Sequence, residues 1–128
     1  MNVNHNADLK KHYLPGLEHQ TLAGRRDGLS SIEVWRQTIA GGAATPVHRH
    51  DCEEVIVCLR GHGVCHSGGH SYHFKENETL VIPAGVTHQI CNDGSGDMDI
   101  LATLAMAPVR VETATHEPMA LPWDGTSA

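Results

Sequence analysis

The stretch from Gly42 to Gly61 constrains the fold of this chain more than any other part of it. It contains the triplet His48-Arg-His50, and Glu54 follows four residues after the second histidine. Side chains alternate between the two faces of a β-strand, so these three even-numbered residues should point to one side of an unbroken strand. Neighbours on one face lie about 6.6 Å apart. Two imidazoles at that spacing can bind one metal ion, which predicts a metal site.

Two alternatives compete with this interpretation. Glu53 is the rival carboxylate, but its odd number sends it to the opposite face, so Glu54 is the predicted ligand. The histidine pair could also be an ordinary polar strand face, because short motifs often match by chance. A second stretch decides between these two interpretations in favour of a metal site.

This second stretch, Asn77 to Asn92, supplies a third histidine. A short apolar run is followed by a Pro-Ala-Gly turn, and His88 begins the next predicted strand. A turn that returns the chain beside the first strand would bring His88 to the histidine pair. The predicted metal ligands are therefore His48, His50, Glu54 and His88.

The two stretches resemble the two motifs of the cupin superfamily. The first motif, G(x)5HxH(x)3–4E(x)6G, is fitted at every position between Gly42 and Gly61. The second, G(x)5PxG(x)2H(x)3N, is fitted from Pro83 to Asn92, with Asn77 in place of the first glycine. Asparagine tolerates a left-handed backbone well, so this departure should matter little.

The resemblance implies an all-β fold, a double-stranded β-helix or jelly-roll barrel. Short strands separated by glycine and proline turns, without a helical period, agree with this. A chain of 128 residues suits one domain. We expect an N-terminal arm over residues 1–30, the barrel over 31–107 and a tail over 108–128 that packs on the barrel or on a partner subunit. The near-continuous apolar run 55–59 predicts a strand buried on both faces.

The resemblance also implies a metal-dependent enzyme, either dioxygenase-like or a decarboxylase, lyase or isomerase, that acts on a small organic acid or carbonyl compound. A non-catalytic binding or sensing module and a purely structural metal site are the alternatives. The expected cofactor is one divalent transition metal per chain: iron, manganese, nickel, cobalt or zinc, among which affinity alone does not choose. Ile56, Cys58 and Ile90 are predicted to line the pocket. No catalytic residue beyond the metal ligands is predicted.

Residues 63–74 read as a hairpin with Gly68-Gly69 as its two-residue turn. This register pairs Cys65 with Tyr72 and places both on an apolar face with Phe74, while the histidines of the other face point to solvent. A second, histidine-rich metal site on the hairpin is the alternative. The sequence assigns no role to His62, His66, His70 and His73.

Charge and cysteine content restrict the kinds of binding partner and the cellular compartment that we expect for this protein. The net charge of −6 argues against nucleic acid and anionic membranes as partners. The four cysteines form no Cys-x-x-Cys pair, and neither a signal peptide nor a membrane span is visible. We therefore expect a cytoplasmic protein with free thiols, a small-molecule ligand and, from the resemblance, a homodimer.

Overall fold

A computed structural model describes residues 1–123 and shows an almost entirely β structure. Two short 3-10 helices, Asn6–Asp8 and Arg25–Asp27, are the helical elements of this part of the chain. The strands, in chain order, are β1 (His12–Leu14), β2 (Leu17–Ala23), β3 (Glu33–Ile39), β4 (Glu54–Arg60), β5 (His62–Ser67), β6 (His70–Lys75), β7 (Thr79–Ile82), β8 (Gln89–Cys91) and β9 (Met98–Leu104).

Two antiparallel sheets make up the barrel. The larger has the strand order β1-β2-β3-β9-β4-β7, and the smaller has the order β6-β5-β8. In the larger sheet β9 lies between β3 and β4, which are distant from it in sequence, and this is the crossover pattern of a jelly roll. The predicted double-stranded β-helix fold is confirmed.

The N-terminal residues take part in the larger sheet. The Pro15-Gly16 turn returns β1 onto β2, and β2 pairs with β3 of the same chain from Leu17 opposite Ile39 onwards. Leu17 and His19 alternate with polar residues and are buried. The residues expected to form a separate N-terminal arm, 1–30, therefore contribute β1 and β2 to the barrel sheet. The alternation of buried and polar side chains in β2 explains why this strand packs against the barrel core.

The inner face of the larger sheet forms the core. Trp35 of β3 lies opposite Ala102 of β9, and Ala102 lies opposite Ile56 of β4, so one row of side chains crosses three strands. All three residues are buried. Glu54 stands one inward position before Ile56 and is 5% exposed. Its carboxylate-bearing side chain thus lies in the next row, between Leu104 of β9 and Ile82 of β7.

The outer face of β4 differs from the prediction. Val55 is 38% exposed and Leu59 is 40% exposed, while Val81, the cross-strand partner of Val55, is 69% exposed. The prediction that β4 is buried on both faces was wrong for the described chain. Continuous apolar strands are typical of parallel sheets covered by helices on both sides, whereas this sheet is antiparallel and has one covered face.

The predicted hairpin register is confirmed from Val64 opposite His73 to Ser67 opposite His70. Cys65 and Phe74 are buried, but Tyr72 is 50% exposed at the edge strand β6. The hairpin histidines are exposed. Within the described residues, three histidines outside the hairpin form the one cluster of potential metal donors, which contradicts the alternative of a second site on the hairpin.

Candidate metal centre

The histidine pair lies just before β4 rather than within it. Residues 51 and 52 form a bend, and Glu54 is the first residue of β4. The alternation nevertheless holds across the bend, because His50, Cys52 and Glu54 are buried. The predicted unbroken strand is thus interrupted, and the bend brings the carboxylate nearer to the imidazoles than an extended strand would.

Backbone bonds bring His88 to the pair. His48 and His88 exchange two hydrogen bonds, the His48 N–H donating to the His88 carbonyl at 2.9 Å and the His88 N–H to the His48 carbonyl at 2.8 Å. Gly85, at φ +78°, donates its N–H to the His50 carbonyl at 2.7 Å. The positive φ is a conformation that glycine adopts without strain, and it turns the chain back toward the pair.

The potential ligand atoms converge. One nitrogen from each of His48, His50 and His88 lies within 4.8 Å of the others. Glu54 Oε1 lies 3.4 Å from His88 Nε2 and 3.7 Å from His50 Nε2. Ligand atoms about 2.0–2.2 Å from a shared zinc ion lie roughly 3–4 Å from one another. The three imidazole nitrogens are thus spaced to share a single ion, and the Glu54 carboxylate lies beside two of them.

Hydrogen bonds fix the tautomer of each histidine. Nδ1 of His48 donates to the Pro46 carbonyl at 2.6 Å, and Nδ1 of His88 donates to the Val86 carbonyl at 2.8 Å. His50 Nδ1 donates to the carbonyl of Arg110, sixty residues away, at 3.0 Å. A carbonyl only accepts, so each Nδ1 carries the proton and each neutral ring keeps a lone pair on Nε2. This is how metal-binding imidazoles are usually oriented.

Three buried polar atoms at the point of convergence have no hydrogen-bond partner: His50 Nε2, His88 Nε2 and Glu54 Oε1. Lone pairs that face one another in a buried site repel, and leaving them unpaired is costly. A cation among them would satisfy all three. The donor set, three imidazoles and a carboxylate, suits a divalent transition metal.

Burial favours the uncharged form of two of the three rings. It lowers the pKa of His48 to about 4, and the neighbouring His88 adds to this effect. Burial also lowers the pKa of His50, although Glu54 opposes the shift. Neutral imidazole is the form that binds metal, so burial of His48 and His50 favours the metal-binding form of both rings.

An apolar cavity of about 120 Å³ adjoins this cluster, and His48, His50 and Glu54 form part of its wall. Ile56 and Ile90 line it as predicted, whereas Cys58 does not. Cys58 lies further along β4, where its thiol faces the carbonyls of Arg60 and Gly61, both 3.5 Å away. A separate cavity of about 280 Å³ touches the other side of His88.

Sequence reasoning missed much of the cavity wall. Trp35 and Gln37 come from β3, Thr45 and Pro46 precede the histidine pair, and Val111, Met119, Leu121 and Trp123 come from the C-terminal segment, here defined as residues 109–123. The tail over residues 108–128 was expected to pack on the barrel or on a partner subunit, and its Trp123 packs on the barrel of its own chain, edge to face with Trp35 at a centroid distance of 5.5 Å. The sequence feature that could have indicated this part of the cavity wall was Trp123, a large aromatic residue in the otherwise weakly patterned C-terminal segment.

A jelly roll with three converging histidines at one end defines a cupin. Solved cupin structures agree: an RmlC-like cupin from Shewanella frigidimarina superposes with a TM-score of 0.72 at 16% identity, over 84% of this chain and 93% of that one. A model of the auxin-binding protein family matches residues 3–123. The chain therefore belongs to the auxin-binding protein family.

Two relatives illustrate the range of related sequences. Auxin-binding protein T85 of Nicotiana tabacum is 40% identical over 108 residues, 75% of this chain. The match spans only 58% of the length of that relative. The oxalate-binding protein of Thermotoga maritima is 29% identical over 72 residues, 56% of this chain and 60% of that protein. In the described part of the chain no helix is long and apolar enough to cross a membrane.

Proposed function

We propose that the protein binds one divalent transition metal through His48, His50, Glu54 and His88, and that this centre holds the carboxylate of a small apolar acid. The observation that carries the proposal is the position of the buried, unpaired donor atoms at one end of an apolar cavity. Four ligands leave positions open on a six-coordinate ion, and the metal would supply a Lewis-acidic point for an anionic oxygen there.

Charge favours a monoanion. A divalent ion with neutral imidazoles and the Glu54 carboxylate has a net charge of about +1, which one carboxylate neutralises. The lining contains neither lysine nor arginine among the described residues. A dianion such as oxalate, even with both carboxylates on the open positions of the ion, would leave a net charge of about −1 buried in this lining, at considerable cost. A monocarboxylic acid with an apolar body is the better fit.

The walls and the size of the cavity restrict that body. Ile56, Ile90 and Ile100 on one side and the two tryptophans on another give a largely apolar surface. The cavity of about 120 Å³ is slightly smaller than the roughly 150 Å³ in which an engineered apolar cavity holds benzene. We therefore propose an acid with about one ring or an equivalent aliphatic group. The names of the plant relatives, which refer to auxin binding, support a small-molecule ligand.

Catalysis is the second candidate, and the open metal positions favour it. The titratable side chains that line the cavity are His48, His50 and Glu54, all of them proposed metal ligands. A separate acid or base is thus missing from the described lining, and we place ligand binding before the dioxygenase-like, decarboxylase, lyase or isomerase activities. Turnover of a bound acid, followed as oxygen uptake or product formation, would reverse this order.

Titration calorimetry tests the proposal. Metal-loaded protein should bind phenylacetate, and metal-free protein should bind it much more weakly, because the carboxylate loses its counter-charge. Phenylacetamide has nearly the same shape without the negative charge and should bind weakly to both forms. Equal binding of acid and amide, or equal binding with and without metal, would contradict the proposal.

The homodimer and the cytoplasmic location remain predictions. Four free cysteines are consistent with a reducing compartment. The exposed apolar pair Val55 and Val81 on the larger sheet is a surface that a second copy could cover. Sedimentation of a monomer at micromolar concentration would rule out the dimer.

A further inference from the structure

Arg49 stands between the two ligand histidines and is buried despite its charge. Its side chain is 10% exposed, and its guanidinium spreads over three parts of the chain. Nε donates to the Gly85 carbonyl at 3.3 Å, and Nη2 lies 2.9 Å from Asp51 Oδ1. Nη1 donates to Glu112 Oε1 and to His116 Nδ1. A buried arginine with this many partners fixes the parts that it joins.

One of those parts is the C-terminal segment. Arg49 and Glu112 pair by backbone as well, the Arg49 N–H donating at 2.9 Å and the Glu112 N–H donating back at 3.0 Å. Two residues before Glu112 is Arg110, whose carbonyl accepts the Nδ1 proton of His50. The side-chain contact therefore holds the segment that orients one proposed metal ligand.

The other part is the turn before His88. Gly85 binds His50 through its N–H and Arg49 through its carbonyl. The next residue, Val86, carries the carbonyl that accepts the Nδ1 proton of His88. A methyl group on Gly85 would lie 3.1 Å from Arg49 Nη2, so the guanidinium packs tightly against this turn. One side chain thus touches both segments that supply the acceptors of His50 and His88.

We propose that Arg49 is a positioning residue of the metal centre: its guanidinium holds the Arg110 and Val86 carbonyls in place and so fixes the ring orientations and tautomers of His50 and His88. It does not touch the ion itself. The effect of Arg49 on metal affinity rests on the proposed metal-binding function. The orientation of the rings does not, because it is a property of the protein without metal.

The first measurement is made on metal-free protein. Nitrogen-detected imidazole NMR at about pH 8, above the ordinary histidine pKa of about 6.5, reports which ring nitrogen carries the proton. In the parent, His50 and His88 should be in the Nδ1–H form. In Arg49→Met both rings should show averaged signals of the two tautomers. Unchanged Nδ1–H signals in Arg49→Met would overturn the proposal.

The second measurement is metal affinity. Loss of partners that orient metal ligands typically costs tenfold to a hundredfold in affinity. Arg49→Met should lose about this much for Co²⁺ and change its visible absorption, and Arg49→Lys, which keeps the charge but lacks the planar fork, should lie between. Arg60→Met is the matched control, since it removes an arginine that binds Asp99 at 3.0 Å, away from the site. Arg60→Met should keep the Co²⁺ affinity and absorption of the parent.

Misfolding of the variant and absence of metal binding in the parent each call for a further comparison. If Arg49→Met does not fold, Glu112→Gln, which weakens the same contact at a partly exposed residue, gives the answer: tautomer averaging supports the proposal, and parent-like rings contradict it. If the parent binds no metal, the proposed function is wrong, while the NMR comparison still decides the role of Arg49.

Discussion

The imidazole of His19 lies flat against the indole of Trp123, with ring centroids 3.5 Å apart and 5° between the planes. His19 also meets Trp35 edge to face at 4.9 Å. Its Nδ1 accepts from the Gln37 amide at 3.0 Å, so its Nε2 carries the proton and donates to Thr21 Oγ1 at 2.8 Å. A neutral, fully buried imidazole thus anchors the C-terminal segment to β2 and β3.

Stability should fall in acid because of this residue. Burial, followed by the effect of nearby His12, lowers the pKa of His19 to about 3. In the unfolded chain His19 takes up a proton near pH 6.5, so the unfolded state binds more protons between about pH 6.5 and 3. The contribution of His19 is complete above pH 6.5 and is lost as the pH falls toward 3.

Urea denaturation of metal-free protein across this range measures the effect. The free energy of unfolding of His19→Phe should depend less steeply on pH than that of the parent. Trp123→Phe changes the same stack without removing a titratable group and should keep the parent's slope. Identical slopes for His19→Phe and the parent would show that His19 does not titrate as described.

Metal content should depend on the four converging side chains. Protein purified without chelator should carry about one divalent transition metal per chain, and His88→Ala and Glu54→Ala should lose it because each removes a donor from a buried site. Elemental analysis measures this. His66→Ala, at an exposed histidine of β5, is the control and should retain the metal. Retention by both site variants would contradict the assignment.

Acid should release the metal well below the ordinary histidine pKa. Protons compete with the ion only when they can bind the imidazoles, and burial lowers the pKa of His48 to about 4 and also lowers that of His50. We expect retention at about pH 6 and release as the pH approaches 4. Complete release near pH 6.5 would mean that the rings are more exposed to solvent than the structure shows.

Cavity size should control which acids bind. Ile100 is 1% exposed and lines the cavity. Ile100→Ala should cost about 2–5 kcal/mol of stability but admit acids with two fused rings, which the parent should bind at least tenfold more weakly than phenylacetate. Val55→Ala, on the exposed face of β4, is the control for binding selectivity. Two-ring acids that bind the parent as tightly as phenylacetate would refute the size limit.

The thiols should react slowly in the native protein. Cys52, Cys58 and Cys65 are buried, and burial raises the pKa of all three, that of Cys65 to about 11. The thiolate is the reactive form, so iodoacetamide should label them only after denaturation. Cys91, which is partly exposed, should label first, and mass spectrometry of Cys91→Ser should show almost no native labelling. Rapid labelling of Cys65 in the native state would contradict this.

Local sequence patterns predicted the parts of the site that depend on local rules. Strand alternation favoured Glu54 over Glu53 as a ligand, and the Glu54 carboxylate lies within 4 Å of two imidazoles, although its role as a ligand stays a prediction. The Gly68-Gly69 turn fixed the hairpin register residue by residue. Both inferences need only a short stretch of chain, in which covalent geometry dictates the direction of each side chain.

Contacts between residues that are far apart in the sequence could not be predicted from such local patterns. Arg49 meets Glu112 across 63 positions, and Trp123 reaches His19 from the far end of the chain. Nothing in the composition of the C-terminal segment indicates which β-strand it will cover. The burial of β4 on both faces was wrongly predicted for a related reason: an apolar run does not tell whether another layer covers it.

The carbonyl that orients His50 belongs to Arg110, and much of the cavity wall follows it in the chain. A ribosome that has synthesised the chain through β9 has made all four proposed ligands but not yet the carbonyl that orients His50. If the centre binds metal as proposed, we expect tight binding only after the last described residues have been made and have packed beside the histidines. Ribosome-bound chains arrested after Pro108 should consequently exchange metal much faster than the finished protein.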